Sequence, residues 1–444
     1  MDLVSRYQNV GVIGSAGKMG SGIALLLCQR MAELKLSDGK GKRYKLTLMD
    51  VDDEGLDGLQ RYLRAQLVRA AEKMTVGLRG LYADRADLVE NAEIIEAFVN
   101  EALGLVRYTT DLAALKDCSM IFEAIAENID LKVKIYNQLN EQCAKDAWFF
   151  TNTSSIPISL LDEKAGLGGR IIGYHFYNPP AVQKLLELIT SPNTDAELIE
   201  ASKQIAADLR KKVIPANDIA GFIGNGHFIR DGLHGIAEAE RLAKDHGFAQ
   251  AIFMINRVSQ DYLVRPMGIF QLIDYVGIDV FQCILGVMDR FIEGEKLHSR
   301  LIDTMMEKGV RGGQNPDGSQ KDGFLQYEKG RVAGVYDLER GEYVAADEAF
   351  VKPLDEALGA LPDAHYPWKA LSRDRGKDAK LAAYFANLAQ CDALGCRLAQ
   401  AHLKRSKEIG EQLVSMGVAN TPEDVNGVLM NGFFHLYGPI NDYV

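Results

Sequence analysis

A glycine-rich turn near the start of the chain places the tightest constraint on its fold. Residues 14–20 read Gly-Ser-Ala-Gly-Lys-Met-Gly; they follow a short apolar run at 10–13 and lead into an apolar helical pattern. Glycines at such a strand–turn–helix junction let backbone N–H groups approach a pyrophosphate at the positive end of a helix. The turn therefore predicts a nucleotide-binding start, with candidate cofactor-binding residues Gly14, Ser15, Gly17, Lys18, Met19 and Gly20.

The spacing of these glycines departs from the usual fingerprint for dinucleotide binding. Gly14, Gly17 and Gly20 are each separated by two residues, so the turn is one residue longer than G-x-G-x-x-G. Alternatively, Ser15 stands where the first glycine of that fingerprint belongs.

Short apolar runs alternate with helical patterns through the first half of the chain. The runs expected to be strands lie at 10–13, 45–49, 120–122, 148–150, 171–174 and 185–189, with helical patterns at 19–31, 131–144 and 196–211. Such alternation is typical of βαβ units in a mainly parallel sheet. The fold class that follows is α/β, a doubly wound sheet of the Rossmann type.

Asp50 closes the second predicted strand, where an acidic side chain can accept hydrogen bonds from a ribose. The residues after it include Asp52, Asp53 and Glu54 but no arginine, so a 2′-phosphate would be repelled. NAD is therefore favoured over NADP. The alternative is that Asp50 merely caps the next helix.

Strand patterns fade after residue 219, and helical patterns dominate the second half. We expect a nucleotide-binding domain at 1–215, a helical domain at 216–330, a linker or small irregular segment at 331–376, and a second helical repeat at 377–444. The repeat is indicated by matches at an offset of 170 residues, in which Gly247, Ala249, Asn256, Val258 and Gly268 correspond to Gly417, Ala419, Asn426, Val428 and Gly438.

Composition excludes several classes of protein. The net charge is −11, whereas a general nucleic-acid binder needs a basic face. No apolar run reaches membrane-spanning length, and the start of the chain reads as a strand, not as a secretory signal. The six cysteines are scattered without metal-ligand spacing. We therefore expect a cytoplasmic protein with buried reduced thiols, no metal site, and no nucleic-acid or membrane partner.

An ordered series of polar groups follows the nucleotide-binding start. It contains Asn152-Thr153-Ser154-Ser155, His175-Phe176-Tyr177-Asn178-Pro179, Glu187 and Gly221-Phe222-Ile223-Gly224-Asn225. A hydroxyl, an imidazole, a carboxylate and a carboxamide suit a reaction in which an alcohol loses a proton to a base while its hydride leaves for a cofactor. Taken singly, His175 could be a satisfied core histidine, Glu187 an edge carboxylate and Ser154 part of a helix cap.

These motifs together resemble the L-3-hydroxyacyl-CoA dehydrogenases of fatty-acid oxidation and 3-hydroxybutyryl-CoA metabolism. The resemblance covers about residues 8 to 328 and includes the glycine turn and the polar series, together with Glu123-Ala124-Ile125-Ala126-Glu127-Asn128, Lys184-Leu185-Leu186-Glu187, Pro266-Met267-Gly268, Asp274-Tyr275-Val276-Gly277 and Gly323-Phe324-Leu325-Gln326-Tyr327. The tail resembles the second helical repeat of the longer, multifunctional members.

The resemblance implies a role for each matching residue. His175 is expected to take the 3-hydroxyl proton, and Glu187 to hold the imidazole and stabilise its charged form. Ser154 and Asn225 are expected to hydrogen-bond the substrate oxygens and the histidine. The remaining matches are expected to lie at the cofactor, at Glu127, Lys132 and Asn152.

The sequence departs from the family pattern beside the expected substrate. Tyr177 stands where phenylalanine or methionine is commoner, Ala220 where proline is usual, and Gly226 where arginine is usual. The leading hypothesis is an NAD-dependent 3-hydroxyacyl-CoA dehydrogenase acting on an acyl-CoA. The alternatives are a dehydrogenase of a non-CoA 3-hydroxy acid or sugar acid, and a catalytically silent NAD-binding or structural protein. The helical repeat further suggests a monomer with an internal pseudo-dimer; otherwise a homodimer is expected.

Overall fold

The computed structural model describes residues 2–38, 41–315 and 318–443. Two compact units make up the chain, Met1–Asp218 and Ile219–Val444. Each unit has a hydrophobic core of its own.

The first unit alternates strands with helices. Its helices are α1 (Leu3–Arg6), α2 (Lys18–Asp38), α3 (Asp53–Leu81), α4 (Asn91–Gly104), α5 (Ile129–Gln142), α6 (Ile158–Ala165) and α7 (Ala196–Asp208). Its strands are β1 (Asn9–Ile13), β2 (Lys45–Met49), β3 (Val106–Thr109), β4 (Met120–Glu123), β5 (Trp148–Thr151), β6 (Ile171–Phe176), β7 (Leu185–Thr190) and β8 (Lys212–Asn217). A short 3₁₀ turn covers Leu112–Leu115.

These strands form one sheet in the order β3-β2-β1-β4-β5-β6-β7-β8. The pairs from β3 to β6 are parallel, β7 runs antiparallel to β6, and β8 runs parallel to β7. The inner strands are buried on both faces because helices cover the sheet, which explains their continuous apolar sequences. The predicted Rossmann-type α/β class is confirmed, as are the six predicted strands.

The edge strands β3 and β8 were not predicted from sequence. Each mixes buried residues with exposed and partly exposed ones, so neither produces a long apolar run. Strand β8 also contains Pro215, which an edge strand tolerates because one side needs no ladder hydrogen bond.

The second unit is mainly helical. Its helices are α8 (Gly224–His246), α9 (Phe248–Arg257), α10 (Ile269–Val276), α11 (Ile278–Phe291), α12 (Arg300–Glu307), α13 (Glu348–Leu358), α14 (Trp368–Leu371), α15 (Lys377–Ala389), α16 (Leu394–Ser415) and α17 (Pro422–Gly432). A π-helical turn covers Val258–Tyr262. Strands β9 (Leu325–Glu328), β10 (Arg331–Asp337) and β11 (Glu342–Ala345) form an antiparallel sheet.

Residues 331–376, expected as a linker or small irregular segment, include ordered elements. Strands β10 and β11 form a hairpin, and α13 follows it as an amphipathic helix with Leu354 and Leu358 buried. Both leucines belong to the core of the second unit. The segment therefore contributes to that core, while the division of the chain into four domains stays a prediction.

The chain after residue 376 packs on the first helices of the second unit. The Tyr384 hydroxyl donates to the carbonyl of Tyr262 at 2.9 Å, and the Tyr437 hydroxyl donates to the carbonyl of Leu263 at 2.7 Å. Leu413 of α16 lies so close to Gly226 of α8 that an added Cβ there would stand 2.9 Å from Leu413 Cδ2. These contacts bury the apolar face of the tail.

The cysteines only partly follow the prediction of buried reduced thiols. Cys28, Cys118 and Cys143 are buried thiols, whereas the Cys283 thiol is exposed. The prediction is wrong for Cys391 and Cys396, which form a disulfide across the short connection between α15 and α16. The two positions are five residues apart, and the tight turn before α16 brings their Cα atoms within 5.8 Å.

Among the described residues no single helix is long and apolar enough to cross a bilayer. Helices α10 and α11, bent by 91° at their junction, meet that criterion only as a pair, by length and composition.

Candidate active site

The glycine turn joins the end of β1 to the start of α2. Gly14 has a φ of +74°, and an added Cβ would lie 2.5 Å from the Ala124 carbonyl oxygen. A Cβ on Gly20 would collide with the Gly14 carbonyl oxygen. Both positions therefore require glycine, and the turn stays open for close approach of a pyrophosphate to its backbone. Gly17, Lys18 and Met19 lie on its more exposed side.

Ser15 and Asp50 tie this turn to the end of β2. The buried Ser15 hydroxyl donates to the Met49 carbonyl oxygen at 3.1 Å, so Ser15 faces the sheet. Asp50 Oδ2 accepts from Ala16 N at 2.9 Å, and its Oδ1 accepts from Asp52 N at 3.2 Å. The structure thus brings Asp50 beside the glycine turn, which is the arrangement that ribose recognition needs.

His175 and Glu187 face each other across the antiparallel pair β6 and β7. His175 Nδ1 lies 2.9 Å from Glu187 Oε2, and the two residues are 8% and 0% exposed. Because an ionised carboxylate can only accept, Nδ1 carries the proton and Nε2 is left as the acceptor. The pair has the form of a general base with its orienting carboxylate.

A third residue, Tyr177, contacts this pair, and its contact is not predicted from the sequence. Its hydroxyl donates to the same Glu187 Oε2 at 2.7 Å, and its ring centroid lies 4.9 Å from that of His175. Burial, together with the charge of Glu187, raises the pKa of Tyr177 well above its usual value. The hydroxyl therefore stays protonated and remains a donor.

Glu127 organises the loop that follows β5. Its Oε1 accepts from Thr153 Oγ1 at 2.6 Å, from Ser154 N at 3.0 Å and from Ser155 N at 3.0 Å. Burial disfavours its ionised form, but the charge of Lys132 and these hydrogen bonds outweigh that effect and lower the pKa of Glu127. The carboxylate thus fixes the backbone that carries Ser154.

Lys132 is nearly inaccessible, with 1% of its side chain exposed. Its Nζ donates to Glu123 Oε1 at 2.7 Å and lies 3.5 Å from Glu127 Oε2. Burial opposes its charge, but Glu123 and Glu127 reverse the effect and raise the pKa of Lys132. In the structure this lysine contacts Glu127 through Oε2, whereas the loop donors bind Oε1. Its predicted contact with a cofactor stays a prediction.

Glu123 is a further buried carboxylate, and no role is predicted for it from the sequence motifs. It accepts from Ile125 N at 2.8 Å, Tyr136 Oη at 2.9 Å and Thr151 Oγ1 at 2.7 Å, besides Lys132. A lone glutamate at the end of the buried strand β4 is the sequence signal for this network, since a buried charge needs such partners.

Asn152 and Asn225 lie in different units. Asn152 Oδ1 accepts from Phe176 N at 2.8 Å, which joins the carboxyl ends of β5 and β6 next to His175. Asn225 lies in the first turn of α8 and is partly buried. Its assignment as a catalytic group stays a prediction, as do the roles of Ser154, His175 and Glu187.

The described part of the chain contains no ready set of metal ligands. Within residues 2–38, 41–315 and 318–443, no group of three or more His, Cys, Asp or Glu side chains is arranged to hold an ion.

A glycine turn with an aspartate beside it, on the same sheet as an imidazole–carboxylate pair, is typical of nucleotide-dependent dehydrogenases. Comparison with known protein families shows which family of this class the chain belongs to. The family described as 3-hydroxyacyl-CoA dehydrogenase, NAD binding domain, matches residues 9–219, and the one described as 3-hydroxyacyl-CoA dehydrogenase, C-terminal domain, matches residues 230–322. The chain belongs to the 3-hydroxyacyl-CoA dehydrogenase family, and its cofactor is NAD.

Individual relatives support this assignment. A probable 3-hydroxyacyl-CoA dehydrogenase of Caenorhabditis elegans is 30% identical over 332 residues, covering 73% of this chain and 98% of the relative. A probable 3-hydroxybutyryl-CoA dehydrogenase of Deinococcus radiodurans is 29% identical over 319 residues, covering 70% of this chain and 99% of the relative. The solved 3-hydroxybutyryl-CoA dehydrogenase of Escherichia coli has a similar fold, with a TM-score of 0.64 at 22% identity, covering 98% of this chain and 90% of that one.

Proposed function

We propose that this protein interconverts an L-3-hydroxyacyl-CoA and the corresponding 3-ketoacyl-CoA, with NAD as the hydride acceptor. The reaction is that of fatty-acid β-oxidation or of 3-hydroxybutyryl-CoA metabolism. The observation that carries the proposal is the hydrogen bond of 2.9 Å between His175 and Glu187 in a chain of this family.

The proposed role of His175 is to accept the proton of the 3-hydroxyl group at Nε2. An imidazole suits this step because its ordinary pKa of about 6.5 lets it take and return a proton near neutral pH. Glu187, facing Nδ1, then stabilises the imidazolium that forms. NAD, when bound, supplies the acceptor for the hydride that leaves C3.

Positioning of the substrate is assigned to Ser154, whose hydroxyl would hold the substrate oxygen. Ser154 is suited to this role because Glu127 accepts from its backbone N–H and fixes its loop. A hydroxyl held on a rigid loop loses little entropy when it binds a substrate.

The test is a spectrophotometric assay of NADH consumption with acetoacetyl-CoA and longer 3-ketoacyl-CoAs, with free acetoacetate in parallel. We expect turnover of the thioesters and none of the free acid. Faster turnover of the free acid would favour the non-CoA alternative. Inactivity on the whole panel, in a protein that still binds NADH, would leave the catalytically silent alternative.

We also infer that the protein is a monomer in which two helical units pair within one chain. The support is similar local geometry around two pairs that correspond at the offset of 170 residues, Asn256 with Gly268 and Asn426 with Gly438. Asn256 Oδ1 accepts from Gln271 N at 3.0 Å beside Gly268, and Asn426 Oδ1 accepts from Ile440 N at 3.0 Å beside Gly438. Sedimentation of the full chain should give the mass of a monomer, and a tight dimer would overturn the inference.

A cytoplasmic location is the remaining proposal. Its support is the set of buried thiols at Cys28, Cys118 and Cys143, which suits a reducing compartment, whereas the disulfide between Cys391 and Cys396 is unusual there. Fractionation of cells followed by mass spectrometry should recover the protein in the cytoplasmic fraction. Recovery of the protein only from another fraction would refute the proposal.

A further inference from the structure

Glu187 receives two hydrogen bonds on a single oxygen atom. Its Oε2 lies 2.9 Å from His175 Nδ1 and 2.7 Å from Tyr177 Oη. The two donors approach from one short stretch of chain, since His175 is in β6 and Tyr177 is the first residue after that strand. Glu187 is 0% exposed, so these protein donors act on the carboxylate where water does not screen it.

A second donor on this oxygen changes how strongly the carboxylate holds a proton on the imidazole. Hydrogen bonds to an ionised carboxylate stabilise its charge. A carboxylate stabilised in this way attracts the imidazolium less strongly than one whose charge is met by histidine alone.

We propose that Tyr177 is a positioning residue for the dehydrogenase reaction, in which its hydroxyl donates to Glu187 and makes the imidazolium of His175 release its proton more readily. The inference rests on the proposed function. It accounts for the departure of this chain from the family pattern, in which phenylalanine or methionine is commoner at this position. Neither of those side chains can donate to the carboxylate.

Other groups of the described chain also lie near His175, Glu187 and Tyr177. From β7, the titratable group facing His175 is Glu187, and Tyr177 faces both from its own loop. From β5, Asn152 contributes a neutral amide that accepts from Phe176 N. Lys211, whose Nζ lies 5.8 Å from the centre of the Phe176 ring, donates to the carbonyl oxygens of Pro180 and Gln183.

The primary experiment compares rate profiles against pH for the wild-type protein, Tyr177→Phe and Tyr174→Phe. Oxidation of 3-hydroxybutyryl-CoA needs a neutral base, so the rate rises with pH along an acid limb. Removing the Tyr177 hydroxyl should move this limb upward by about 0.5–1 pH unit, which slows the reaction about three- to tenfold on the limb and leaves the high-pH plateau little changed.

Tyr174→Phe is the matched control. Tyr174 precedes His175 in β6, is buried, and donates through its hydroxyl to the Ser202 carbonyl oxygen at 3.1 Å. The substitution deletes one buried tyrosine hydroxyl from the same strand but none from Glu187. An acid limb that stays in place in Tyr177→Phe, or that moves equally in Tyr174→Phe, would overturn the proposal.

A titration without substrate separates this inference from the proposed function. The ring signals of ¹³C-labelled histidine are followed by NMR, and the His175 signal is assigned by its loss in His175→Gln. Its titration midpoint should be higher in Tyr177→Phe and in Tyr177→Met than in the wild type, and equal midpoints would refute the role of Tyr177. If the wild type turns over no acyl-CoA, the proposed function fails while this titration still decides on Tyr177.

Discussion

His175 and Glu187 occupy directly opposed positions in the antiparallel pair β6 and β7, with Nδ1 and Oε2 2.9 Å apart. The strand register fixes the pair from both sides, so the imidazole is oriented before any ligand binds. Such preorganisation is what a general base needs, because the reacting groups then lose little freedom in the transition state.

The first prediction concerns the base itself. His175→Gln should lower kcat by about 10²–10⁴-fold, the usual contribution of a general base. Calorimetric affinity for NADH should stay within about threefold of the wild type, because the glycine turn and Asp50 lie on other strands. A folded variant that keeps more than a tenth of the wild-type rate would remove His175 from this role.

The second prediction concerns cofactor choice. Asp50→Ala should raise the KM for NADH and narrow the preference for NADH over NADPH, since the carboxylate no longer binds the ribose or repels a 2′-phosphate. Asp57→Ala is the matched control, because Asp57 is an exposed carboxylate farther along α3. Equal activity of the wild type with both cofactors would contradict the assignment of Asp50.

The third prediction concerns the contribution of the buried Lys132 to the stability of the folded protein. Lys132→Met leaves Glu123 and Glu127 without their shared cation, and breaking a buried ion pair costs about 3–5 kcal/mol. We expect the lower end of this range, because Glu123 keeps its donors from Ile125, Tyr136 and Thr151. Chemical unfolding measures the loss, and Lys134→Met, at an exposed position of the same helix, should change little. Equal stability of both variants would contradict the role of Lys132.

The fourth prediction concerns a buried histidine cluster in the second unit. His402 Nε2 lies 3.0 Å from Asp231 Oδ1, Arg265 donates to Asp231 Oδ2 at 2.8 Å, and the rings of His234 and His402 are 5.0 Å apart. Burial lowers the pKa of His227 and that of His234 to about 4. Within the described chain, His234 Nε2 is also buried without a hydrogen-bond partner.

These shifts fix the sign of the pH dependence. Between pH of about 6.5 and about 4, these histidines bind protons in the unfolded chain but stay neutral in the folded protein. The free energy of unfolding therefore falls as pH falls. Replacing His234 by phenylalanine should weaken this fall, whereas His246→Gln, at the partly exposed end of α8, should not. Melting temperatures from pH 7 to pH 4.5 provide the measurement, and identical curves for His234→Phe and wild type would contradict it.

Much of the sheet can be predicted from sequence because its inner strands are buried on both faces. The apolar runs at β1, β2 and β4 to β7 follow directly from that burial. Strands β3 and β8 escape prediction because edge strands mix exposed with buried residues. Helix α3 was also missed, although Leu56, Leu59, Leu63 and Leu67 form a buried stripe at helical spacing that would have revealed it.

The site is predictable only in part, for a different reason. Local motifs and the family resemblance identify His175 and Glu187, but their contact depends on the register between β6 and β7, which the connection at 177–184 sets. Tyr177 follows the last residue of β6, so strand alternation does not determine which way its side chain points. Similarly, no motif reveals that Glu123 and Lys132 form a buried pair.

Isotope labelling follows directly the proposed transfer of a hydride between nicotinamide C4 and C3 of the substrate. The protein is mixed with acetoacetyl-CoA and NADH carrying deuterium on either face of nicotinamide C4, and the acyl product is analysed by mass spectrometry. We expect one deuterium at C3 of 3-hydroxybutyryl-CoA from one of the two labelled cofactors, and labelling slower by about 10²–10⁴-fold with His175→Gln. A product without deuterium from either cofactor, or no product from the wild-type protein, would contradict it.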